Sequence, residues 1–101
     1  MLRLLYVIPA AALALSLTGP ALGFTGQKYA PYAKVALADA RAIALKARPG
    51  KVTDSELEYE KGGSGLRYSF DIQNAAKKYE VGVDAKTGAV LENSTEGANP
   101  D

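Results

Sequence analysis

Apolar side chains recur at helical spacing from Ala33 to Ala47 and at every second position beyond Gly50, so the chain reads as one helix followed by strands. At about 100° per residue, Ala33, Ala36, Leu37, Ala40, Ile43, Ala44 and Ala47 fall in a single stripe. That stripe predicts a helix over Tyr32 to Ala47, with Pro31 tolerated at its start and a sheet covering its apolar side. Arg48-Pro49-Gly50 stops it: Pro49 disfavours helical geometry at Arg48, and Gly50 is expected to take the positive φ of an exit turn. Val35, Ala38, Ala42 and Leu45 form a weaker apolar strip on the opposite side. It is a candidate partner-binding ridge, set against the plainer account that Ala favours helix and that scattered exposed apolar residues are ordinary.

After Gly50 the period is two. In Val52 to Glu60, Ser55, Leu57 and Tyr59 alternate with Glu56, Glu58 and Glu60, the pattern of a strand with one face in the core and one in water. Lys61 to Gly65 reads as a flexible hairpin loop. Leu66, Tyr68, Phe70 and Ile72 face one way in the next strand, with Arg67, Ser69 and Asp71 the other way. Gln73 to Ala76 connects to a third strand, Lys77 to Asp84, with Tyr79, Val81 and Val83 inward and Lys78, Glu80 and Gly82 outward. Asp84 to Gly88 is a turn in which Asp84 accepts bonds from following amides and Gly88 closes in the left-handed conformation. Ala89 to Glu92 adds a short fourth strand, and 93–101 is a flexible tail. The fold class is therefore α+β: one N-terminal helix packed on a three- to four-stranded antiparallel β-meander. The outward charges, Glu56, Glu58 and Glu60 against Arg67, and Glu80 with Lys78, read as a solvated face.

The start of the chain speaks to compartment. Arg3 precedes an almost wholly apolar run from Leu4 to Leu17, and Thr18-Gly19-Pro20 breaks it ahead of Ala21-Leu22-Gly23. This is the pattern of a secretory signal peptide over 1–23, cleaved after Gly23; the run is shorter than the roughly 20 residues that span a bilayer. Residues 24–31 have no period and read as an irregular leader to the domain at 32–92. The expected location is periplasmic or extracellular, with no stable membrane insertion after cleavage. Without Arg3, basic and acidic side chains are equal in number, which disfavours nucleic acid and anionic membrane as partners.

Ala40, Ile43, Ala44, Pro49 and Gly50, then the strand Tyr68-x-Phe70, then Tyr79-x-Val81-x-Val83-Asp84 running to Gly88, closely resemble the PepSY domain over about Val35 to Glu92. The resemblance implies a helix on a small antiparallel sheet, as in the propeptides of thermolysin-like metallopeptidases and in many small exported bacterial proteins. It also implies a role in inhibiting or regulating peptidases outside the cytoplasm, no catalytic residues, and structural duties for the positions just named. The large peptidase domain of a propeptide does not follow here, which points to a module acting in trans on an exported peptidase or another envelope protein.

The residue inventory agrees with a binding role. With no His and no Cys, the usual zinc sites, His-activated nucleophiles and disulfides are excluded. Glu56, Glu58 and Glu60 could present carboxylates to a cation or form an acid and base pair, but surface charge accounts for them. Asp84 to Gly88 lacks the alternating oxygen ligands of a calcium loop, and Gly62 to Gly65 lacks the Lys-Ser/Thr of a phosphate cradle. No catalytic, cofactor or metal residue is assigned, and an edge strand or the tail is expected to insert into the partner. The alternative is an envelope small-ligand or metal-sensing module, its site lined by the outward carboxylates or by Tyr29, Tyr32 and Tyr59.

Overall fold

The computed structural model describes residues 23–96. The signal peptide expected over 1–23 lies outside them except for Gly23, as does the end of the expected tail. A 3-10 helix, Gln27–Tyr32, leads to α1, Leu37–Ala47, and then to β1, Lys51–Tyr59, β2, Leu66–Asn74, β3, Lys77–Asp84, and β4, Val90–Glu96. The strands form one antiparallel sheet in the order β1-β2-β3-β4, a simple meander. Helix α1 packs across β2, β3 and β4, and the 3-10 helix packs on β1.

Period-two alternation places Leu57, Tyr68, Phe70, Ile72, Val81 and Val83 on the face under α1, where all are buried. Ala40 and Ala44 meet them from the helix with no exposed surface, their small side chains letting the helix backbone approach the sheet closely. Each large side chain so buried contributes about 1.5 to 3 kcal/mol, and this single layer is the core.

The helix starts later than its stripe predicts. The amides of Lys34 and Val35 both donate to the carbonyl of Ala85 at 2.9 Å, and the Tyr68 hydroxyl donates to the Val35 carbonyl at 2.7 Å. These bonds hold Ala33 to Ala36 out of helix, and Pro31 falls inside the 3-10 helix. Ala36, assigned to the apolar stripe, is the exposed N-cap without a side-chain bond. The leader is ordered too. Thr25 pairs in parallel with Glu56, its amide donating to the Ser55 carbonyl at 3.1 Å and its carbonyl accepting from Leu57 at 2.9 Å.

The other departures lie in the sheet. β1 begins at Lys51 and ends at Tyr59, so Glu60 is outside it, and Tyr59 is exposed at the rim instead of inward. The connection after β2 is a two-residue loop, Ala75-Ala76, with Ala75 in the left-handed region at φ 58°. β4 runs through Asn93 to Glu96, which were expected in the tail. Asn93 anchors it: its Oδ1 accepts from Arg48 Nε at 3.0 Å and its Nδ2 donates to the Ala47 carbonyl at 3.4 Å.

Candidate protein-binding surface

The residues that carry the sequence signature mostly serve the fold. Ile43 is half-buried against the turn at Gly88, where an added Cβ would lie 3.4 Å from its Cδ1. The Pro49 carbonyl accepts from Asn74 Nδ2 at 2.7 Å, joining the end of α1 to the β2–β3 hairpin. Gly50 takes the positive φ expected of it where the chain leaves the helix, at 155°. It is needed for space as well, because a Cβ there would stand 2.6 Å from the Gln73 carbonyl oxygen and 2.7 Å from Ile72 Cγ2. Tyr68 stacks on Phe70 and meets Phe24 edge to face, while Tyr79 lies beneath the Arg48 guanidinium at 3.9 Å from its ring centre.

Asp84 is the best-connected of these side chains. It accepts from the amides of Lys86 and Thr87 at 2.8 and 3.1 Å, and Gly88 closes the turn at φ 84°, as the sequence indicates. It also accepts from the Ser64 amide and hydroxyl, at 2.7 and 2.8 Å. The loop read as a flexible hairpin is thus pinned to the β3–β4 turn. Burial alone would raise the Asp84 carboxyl, but these bonds outweigh it and hold the pKa at about 2.

The ridge proposed on α1 is not one surface. Ala38 and Ala42 are exposed on the helix, but Val35 belongs to the tethered segment before it, and both Val35 and Leu45 pack against the core. The aromatic set divides likewise: Tyr29 and Tyr59 meet edge to face at 4.9 Å, and Tyr32 is exposed. Beside the tether lies an open recess of about 380 Å³ whose lining includes Phe24, Ala33, Val35 and Tyr68.

The sheet face turned away from α1 departs most from expectation. Arg67 and Ser69, assigned to a solvated face, are each only 6 % exposed. Ser69 donates to Glu58 at 2.8 Å, and Arg67 lies over Gly82, bonding Glu92 at 3.3 Å and the Lys61 carbonyl at 3.1 Å. The expected pairings of Arg67 with the glutamates of β1 and of Glu80 with Lys78 give way to this arrangement, because register sets Glu80 opposite Asp71 and Ser94. One carboxylate oxygen each from Asp71, Glu80 and Glu96 lies within 4.8 Å of the others. Burial, then the charges of Glu92, Asp71, Glu96 and Glu58, push Glu80 up to about 7. Burial and then Glu58 raise Glu56 as well, and burial followed by Glu96 raises Asp71. Sequence reasoning placed Glu80 outward beside Lys78 but did not foresee its grouping with Asp71 and Glu96, which come from other strands and depend on the register.

Among the described residues no helix is long and apolar enough to cross a membrane. Residues 34–93 match the family model for the peptidase propeptide and YPEB domain, a family of propeptide and regulatory type. No curated protein and no solved structure matched the chain.

Proposed function

Because the matched region takes in more than half of it, the chain belongs to the PepSY family, and we propose that it is an exported, non-catalytic module that inhibits or regulates a peptidase in the cell envelope or extracellular space by protein–protein contact. The family match carries this reading, and the placement of the signature residues supports it. Pro49, Gly50, Tyr68, Asp84 and Gly88 are occupied with bonds and contacts inside their own fold. The sequence supplies no imidazole or thiol to activate a nucleophile, and its carboxylates cluster on an open sheet face with raised proton affinity. Export rests on the charged and apolar start of the chain, Arg3 followed by Leu4 to Leu17.

Two measurements address the reading in turn. Mass spectrometry of the secreted or periplasmic protein is expected to give Phe24 as its first residue; recovery of the intact chain in the cytoplasm contradicts export. Proteolysis by the exported fraction, with and without added protein, is expected to change with dose. A small-ligand or metal sensor would instead show a rise in melting temperature with a specific ligand and no effect on proteolysis.

A further inference from the structure

An open sheet has two edges, and here they are treated differently. The outer side of β1 is occupied by Thr25, which exchanges backbone bonds with Ser55 and Leu57 at 3.1 and 2.9 Å. β4 pairs with β3 alone, and among the described residues nothing hydrogen-bonds along its far side. Alternate amides and carbonyls of Val90–Glu96 therefore point away from the sheet, as in any edge strand that can accept another.

Charge selects what that edge can accept. Glu92 and Glu96 stand on the outer face of β4, next to Glu80 and Asp71 on the adjoining strands. Arg67 is engaged by Glu92 and the Lys61 carbonyl, and Lys78 stands opposite Glu96 with its charge acting on Asp71, so one lysine faces four carboxylates. A second copy of this chain is a poor occupant. Antiparallel pairing of two β4 strands in full overlap, about Asn93, would set Glu92 diagonal to Glu92 and Glu96 of the other copy, and pairing about Ser94 would set Glu92 directly opposite Glu96; both bring like charges together.

We propose that the open side of β4 is the docking edge for an extended segment of a partner protein with Lys or Arg at alternate positions, which adds as a fifth strand and lays its cations along Glu92, Glu96 and the acidic face behind them. Backbone bonds supply the register-independent part of the affinity, and the alternating charges supply register and selectivity. The proposal rests on the reading of the chain as a binding module and names the surface used.

The protein recovered from cells expressing the full chain is titrated with synthetic strand-length peptides that alternate Val with Lys, Val with Glu, or Val with Ser. Amide hydrogen exchange locates the binding. The Lys peptide is expected to bind most tightly, to slow exchange in 90–96, and to weaken as salt is raised. Glu96→Lys, which leaves the Arg67–Glu92 bridge in place, should lower that affinity by up to about five-fold and favour the Glu peptide. Equal binding of the three peptides, no binding, protection elsewhere, or association of the protein with itself through β4 overturns the proposal. No peptidase enters this experiment, so protein that alters proteolysis but ignores the peptides retires the docking edge and keeps the function, whereas the reverse result does the opposite.

Discussion

The Ser64 amide donates to Asp84 Oδ2 at 2.7 Å while its hydroxyl donates to Oδ1 at 2.8 Å, so one buried carboxylate ties the β1–β2 loop to the β3–β4 turn. Hydrogen bonds to a charged group contribute more than neutral ones, and removing the acceptor leaves several donors unpaired. Asp84→Ala is therefore expected to cost roughly 2 to 3 kcal/mol in urea unfolding, with Asp84→Asn losing less. The folded pKa of Asp84 lies below its ordinary value of 3.8, so its contribution is complete above that pH and is lost as pH falls toward about 2. Acid unfolding of the Asp84→Ala variant should lack this loss.

Glu80 has the opposite sign. Its carboxyl is raised from 4.5 to about 7, so between these values the folded chain binds more protons than the unfolded one, and stability falls as pH rises through the window. The melting temperature is expected to be higher near pH 5 than near pH 8. Glu80→Gln should raise it at pH 8 and flatten its pH dependence; an unchanged slope in that variant means the face is not electrostatically strained.

At Gly50 the constraint is both conformational, through its positive φ, and steric. A methyl group there meets the Gln73 carbonyl, which is backbone held in the hairpin ladder and cannot swing aside. Gly50→Ala is expected to cost about 1 to 3 kcal/mol and to increase exchange at both the end of α1 and the end of β2.

Ala75 offers a gain. It holds φ 58° in a two-residue loop, a conformation that disfavours any side chain with a Cβ by about 1 to 2 kcal/mol. Part of that is returned by the greater unfolded-state freedom of glycine, so Ala75→Gly should stabilise by about 0.5 to 1 kcal/mol in denaturant titration.

What could be read from the chain itself was local. Asp84 and Gly88 stand four positions apart and make one turn, Arg48-Pro49 ends the helix by a clash between neighbours, and the alternation from Leu66 to Ile72 declares which side chains go inward. The features that escaped depend on residues distant in sequence. Lys34 and Val35 leave the helix because Ala85 takes their amides, and Ser64 is fixed by a carboxylate twenty positions later. Asn93 to Glu96 is a polar run with no apolar rhythm, yet it pairs with β3 and is fastened to the end of α1 by Asn93. The burial of Arg67 and Ser69 had no signal either, since alternation reports a side chain's face and not what its neighbours across the sheet do to cover it. The same limit hid the acidic face, which assembles only when register brings Glu92 and Glu96 beside Glu80 and Asp71.

The central claim, that this PepSY chain works by contact on an exported peptidase, is tested most directly by titrating the purified protein into the peptidase-containing exported fraction and following hydrolysis of a fluorogenic protein substrate. Proteolysis that changes with dose and levels off at saturation, with no hydrolysis by the protein alone, is the result expected. Proteolysis indifferent to the protein at every dose, or turnover of the substrate by the protein itself, contradicts it.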